Sequence, residues 1–136
     1  MSNIFSSKKM KLSIVGLLVL AYFTFAFPLV SSAASFNFTF NPPFTGSLKS
    51  TSKVTVSSGL PYVNPSHSAT PTSYFLSPTP GTAIEATNFI TNISTSGTRF
   101  FTYKSGYGGT GQQYVLSAHP SNFDFVKYTV KGNWKP

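Results

Sequence analysis

No cysteine occurs anywhere in this chain, and only two acidic residues do, Glu85 and Asp124. Without a thiol there is no disulfide staple, no thiolate metal ligand, no cysteine nucleophile and no cysteine to carry a lipid anchor. Two carboxylates and two histidines, His67 and His119, are scattered along the chain without metal-ligand spacing. The same four groups are all that an acid–base pair could draw on, and no Gly-x-Ser-x-Gly nucleophile elbow accompanies them. The expectation is a non-enzymatic protein with no catalytic residue, no metal and no cofactor. A further gap lies between Lys11 and Lys49, where no Lys, Arg, Asp, Glu or His appears.

That gap opens on Lys8, Lys9 and Lys11 and continues as an apolar or small run from Leu12 to Val30. Nineteen helical residues would span roughly 28 Å, close to the hydrocarbon core of a bilayer. Pro28 would break such a helix, and Ser31-Ser32-Ala33-Ala34 supplies the small residues of a signal-peptidase site. Two frames fit: a cut after Ala33 with Ser31 at −3, or a cut after Ala34 with Ser32 at −3. Residues 1–34 therefore read as a signal helix cleaved near Ala33 or Ala34, with an uncleaved membrane tether as the alternative. In both cases the lysines hold the N-terminus inside and the remainder faces outward, which places the protein outside the cell. No Leu-Pro-x-Thr-Gly sorting motif offers attachment to a cell wall.

Residues 35–136 suffice for one domain with one core. Seven cationic residues against two acids leave this part with a net charge of +5. A small exported domain without disulfides points to a Gram-positive exporter and must draw stability from aromatic burial. Seventeen of the 22 aromatic residues lie in it. Their order is strand-like: Phe36, Phe38 and Phe40 share one parity, and so do Val126, Tyr128, Val130 and Trp134. Lys49 to Ser58, Thr98 to Lys104 and Gln112 to Ala118 read as further strands, the last two joined as a hairpin by the glycine-rich loop Ser105 to Gly111. The expected fold is all-β, a small antiparallel sandwich of six to seven strands behind the signal helix.

Two segments are harder to place. Pro61 to Thr82 carries five prolines, which predicts a surface excursion with at most a short edge strand at Tyr74-Phe75-Leu76. Residues 82–93 fit a helix by the capping pair Thr82-x-x-Glu85 and a strand by their Thr, Ile and Phe content; strand is the preferred reading.

The candidate binding feature is the polar face of the last strand. Lys127, Lys131 and Lys135 recur every fourth residue, projecting from one side about 13 Å apart. They would meet a cell-wall polymer or an anionic membrane surface; the plainer reading is a solvated face that blocks edge pairing. Tyr107, exposed in the glycine-rich loop, is a second candidate contact. That loop lacks the following helix and Lys-Ser/Thr of a phosphate cradle. Nucleic acid is not an expected partner of an exported chain, and the oligomeric state is not legible.

The segment "RFFTYKSGYGGTGQQYVLSAHPSN" followed by "YTVKGNW" resembles the C-terminal half of a family of small secreted Gram-positive proteins of unknown function. The matching positions are Arg99, Val115-Leu116, Tyr128, Val130, Gly132 and Trp134. In size and build such proteins are similar to the lactococcin-type bacteriocins. The resemblance implies an exported β-rich protein and transfers no functional residue. Two functions stay open: a secreted, non-catalytic envelope binder, or a bacteriocin-like toxin acting on the envelopes of related cells.

Overall fold

Alternation dictates the first strand. In the computed structural model, which describes residues 33–42, 48–122 and 126–136, β1 (Ala34–Phe40) buries Phe36, Phe38 and Phe40 and turns Ser35 and Asn37 to solvent. The expected signal helix, with Ser31, lies outside the described residues, as does Asp124. Eight further strands follow: β2 (Lys49–Ser50), β3 (Val54–Thr55), β4 (Tyr62–Pro65), β5 (Thr72–Ser77), β6 (Ile90–Ile93), β7 (Arg99–Phe100), β8 (Gln113–Pro120) and β9 (Tyr128–Lys135). The described residues are all-β with no helix, arranged in two antiparallel sheets. One runs β1-β9-β4-β7; the other runs β2-β8-β5-β6, with β3 also on β8.

β9 pairs with β1 over its whole inner row. Phe36 lies opposite Gly132, Phe38 opposite Val130 and Phe40 opposite Tyr128, whose rings stack at 5.0 Å. Opposed residues of an antiparallel pair point to the same side, so these side chains form one inward surface. From the second sheet, Tyr74, Leu76, Tyr114, Leu116 and Ala118 join the same buried cluster. The cross-sheet contacts are specific: Phe36 meets Tyr74 edge-on at 6.0 Å, and Thr72 Oγ1 lies 3.1 Å from the Tyr128 hydroxyl. Each fully buried large apolar side chain contributes roughly 1.5–3 kcal/mol, and this chain has no disulfide to supplement them.

Four expectations are corrected. The proline-rich segment is not a surface excursion: it forms β4 and β5, each flanked by strands on both sides, and all six residues of β5 are buried. Its prolines bracket strands rather than interrupt them, because Pro61 and Pro71 precede β4 and β5, Pro78 follows β5, and Pro65 ends β4 where its missing N–H costs nothing within the ladder. The second face of β5 is covered by Phe89, whose ring lies 4.7 Å from that of Phe75. Lys49 to Ser58 is not one strand. The register on β8 shifts by one residue between β2 and β3, where Thr51 receives the Leu116 N–H on its hydroxyl.

The glycine-rich loop is not a hairpin, since β7 belongs to the first sheet and β8 to the second. It is tied down instead: the Gly108 N–H donates to the Tyr114 hydroxyl at 2.8 Å, and Gly109 N–H to Gln112 Oε1 at 2.9 Å. Gly108 has φ of +86°, and a Cβ there would come within 2.4 Å of the Tyr103 ring, so only glycine fits. Finally, Val126 does not continue the inner row; it is exposed ahead of β9. Of residues 82–93, only Ile90–Ile93 is strand, and no helix forms.

Gly132 lets β9 approach β4 closely. A Cβ there would lie 2.2 Å from the Asn64 carbonyl oxygen and 2.9 Å from Pro65 Cα, both backbone atoms that cannot swing aside. Gly132→Ala should cost ~3 kcal/mol, read as a lowered urea midpoint with the slope unchanged. Burial pushes the phenols of Tyr74 and Tyr103 above the usual tyrosine range. The neutral form is thus favoured by folding, and that stability is present below the unfolded pKa of about 10 and lost as pH rises past it. Urea titrations from pH 10 upward should show falling stability, with Tyr74 alone contributing about 1.4 kcal/mol per pH unit; Tyr74→Phe should flatten the decline.

Candidate functional site

The register that sends the aromatic rings inward delivers the other parity of β1, β9, β4 and β7 to a common outer surface. Asn37 and Ser66 flank Lys131 on either side; Ser35 and Asn64 flank Asn133; Tyr62 stands between Lys135 and Phe100. Rows on a strand are about 7 Å apart, so the surface repeats a polar side chain, an amide or a cation at that interval. β9 lies in the middle of the sheet, not at its edge. Its lysines therefore do not serve to block edge pairing, which corrects the plainer reading of that face.

Lys131 is exposed and points outward at the centre of the surface. Lys135 is half-buried and donates to the Ser58 carbonyl, so part of its role is structural. Lys127 is exposed but precedes the strand, and the paired row consists of Lys131 and Lys135. Tyr107 does not join them. Its ring packs edge-on against Tyr114 of β8 at 6.3 Å, so it belongs with the second sheet. Ala33 is exposed, and Ala34 is half-buried as the first residue of β1, opposite Trp134.

Among the described residues, charge on this surface has one sign. Among the described residues Glu85 is the one acid, and it is paired with Lys104 away from β9. The amides of Asn37, Asn64 and Asn133 and the Lys131 ammonium make no side-chain hydrogen bond among the described residues, which leaves their donors and acceptors open to a ligand. An open groove of about 590 Å³ runs beside Lys131, lined by Ser35, Asn37, Asn64, Ser66 and the Gly132 backbone. Beyond it, Phe100 is 58 % exposed and meets Tyr62 edge-on at 6.4 Å.

The outer-face reading of Lys131 and Lys135 comes directly from strand parity. Asn64, Tyr62 and Phe100 were missed. The first two sit in the proline-rich segment read as a loop, and Phe100 lies in a strand of two residues; the usable signal was the alternation Tyr62, Asn64, Ser66 between buried Val63 and Pro65. His67 is exposed, while His119 stands against the Phe89 ring and has Nδ1 2.9 Å from its neighbour's carbonyl oxygen, that of Pro120. Among the described residues no three His, Cys, Asp or Glu come together as a metal site, and no helix is long and apolar enough to cross a membrane.

No protein-family model matches this chain, and neither does any curated protein or solved structure.

The two lysines should separate in a stability measurement. Lys131→Gln should leave unfolding within about 0.5 kcal/mol of the original. Lys135→Gln, which gives up the bond to Ser58, should cost up to ~1 kcal/mol more in the same urea titration.

Proposed function

We propose that this is a small secreted, non-catalytic protein whose β-sandwich presents the outer face of β9 to an anionic polymer of the cell envelope. The observation that carries the reading is the central placement of Lys131 among open amides on a surface free of acidic side chains among the described residues. A cation there meets an anion without a described carboxylate competing for it, and the amides of Asn37 and Asn133 near it have no other described partner. The export signal in residues 1–34 and the resemblance of the C-terminal part to small secreted Gram-positive proteins support the extracellular setting.

The envelope-damaging alternative requires a coherent apolar surface to enter a bilayer. Among the described residues the exposed large apolar side chains are Leu60, Ile84, Phe100, Tyr107 and Val126; Phe100 stands on the first sheet and Tyr107 packs on β8 of the second, while most described rings point inward. The binder is therefore the preferred reading. A non-catalytic role is supported by the pairing of Glu85 with Lys104 and by the packing of His119 on the Phe89 ring.

The test is co-sedimentation of the chain, in the form an exporting host leaves it, with purified Gram-positive cell walls. Binding at low ionic strength that high salt releases is expected, because an exposed ion pair is screened within about 10 Å at 0.1 M salt. Lys131→Gln should weaken the binding. Salt-insensitive binding, or none, would remove this reading, and leakage of dye from anionic liposomes would replace it with the toxin.

A further inference from the structure

The chemistry of the same surface narrows the class of polymer, on the premise that it binds an anion at Lys131. We infer that the ligand is an acidic polysaccharide, taken with a sugar ring on the Tyr62–Phe100 pair and its hydroxyls and carboxylates on Asn133, Asn64 and Lys131.

Three observations point there. First, the open amides are asparagines. Each offers a carbonyl oxygen as well as an N–H2, and an acceptor needs a donor opposite it. A polyphosphate backbone or a sulfate presents only acceptor oxygens, so it would leave the amide oxygens of Asn37, Asn64 and Asn133 facing like partial charge. Vicinal hydroxyls donate and accept together, and they satisfy both ends of an amide. Second, Phe100 is 58 % exposed on a surface whose outward β1 and β9 positions are Ser, Thr, Asn and Lys. Its register partner Tyr62 stands edge-on to it at 6.4 Å, and Tyr62 is itself opposite Lys135. The C–H face of a pyranose covers an aromatic ring, whereas a phosphate chain has no apolar face to offer. Third, charge is complementary in one direction only: Lys131 has no carboxylate beside it among the described residues, so the sugar polymer that fits is one bearing acid groups.

The geometry also orders these contacts. From Phe100 across Tyr62 to Lys135, and down β9 through Asn133 to Lys131, the surface passes from ring to cation to amide to cation over three strand rows. One sugar residue on the ring places its neighbours over the amides and the groove beside Lys131. A lipid surface does not match this array, because a planar bilayer would press the polar amides against headgroups without using the ring pair as an inserted wedge.

The test is affinity electrophoresis of the full chain, in the form the host leaves it, through gels containing polygalacturonate, alginate or hyaluronate. Neutral dextran, inorganic polyphosphate and anionic vesicles serve as comparisons. Retardation is expected in at least one acidic polysaccharide and not in dextran or polyphosphate. Phe100→Ala should weaken it about tenfold, the loss expected of one stacking ring, while Phe100→Trp should retain it and shift indole emission to the blue on binding. Lys131→Gln should weaken the retardation and reduce its salt dependence. Phe100 is exposed, so these variants should keep the original unfolding profile, which is measured alongside. If polyphosphate retards the chain as strongly and Phe100→Ala changes nothing, the sugar inference fails and the anionic-polymer reading survives. If Lys131→Gln changes nothing while Phe100→Ala does, the ring site stands without its charge and the acidic-polysaccharide assignment is overturned. Retardation by none of the three acidic polysaccharides overturns the inference outright.

Discussion

A slip of β1 by one residue along β9 would turn Phe36, Phe38 and Phe40 out to water and bring Ser35, Asn37 and Thr39 into the core. Three phenyl rings would lose their burial at once, and three polar side chains would need hydrogen-bond partners in an apolar cluster. Everything else in the molecule depends on that register. It sets Phe40 in its stack on Tyr128, holds Phe36 within reach of Tyr74 in the opposite sheet, and places Trp134 over the start of β1. In a domain without cysteine, no covalent link would hold a misregistered state in place or rescue a correct one. The hydrophobic penalty is what makes one alignment the native one.

The candidate surface is the complement of that core. Because side chains alternate along a strand, burying one parity necessarily exposes the other, and the same pairing that joins Phe38 to Val130 sets Asn37 beside Lys131. The centre of the site is consequently held by ladder hydrogen bonds on both sides of β9. Gly132 adds a second constraint: by keeping Cβ away from the Asn64 carbonyl it allows β4 to come alongside and contribute Asn64 and Ser66 to the surface. A binding face arranged this way needs no ordering when ligand arrives, which lowers the entropic cost of association.

How far the chain could be read in advance varied with the range of the deciding interaction. β1 and β9 were plain, since alternating rings over seven or eight residues leave one workable conformation. β8 was nearly as plain. The segment from Pro61 to Thr82 reads as a loop when proline density is weighed over the whole stretch. Position within the stretch mattered instead: a proline just outside a strand, or at its last residue, forfeits no ladder bond, and Thr72–Ser77 between Pro71 and Pro78 is free of proline and fully buried. The loop at 105–111 was misplaced for a different reason. Short sequence separation favours a hairpin, but β7 has only two residues and finds its partner in β4, and residues 102–104 have already moved beside 86–88 before the glycines begin.

The sequence by itself determined the class of the protein, its single core-forming parity on β1 and β9, the cationic outer row of Lys131 and Lys135, and the apolar N-terminal segment. These are local properties, decided by alternation and composition along a few residues. Only the tertiary structure decided which strands neighbour β9, and with them whether those lysines stand alone or among Asn37, Asn64, Tyr62 and Phe100. Strand neighbours are chosen by the fit of buried surfaces that are far apart in the chain, and no local pattern in this sequence records that choice.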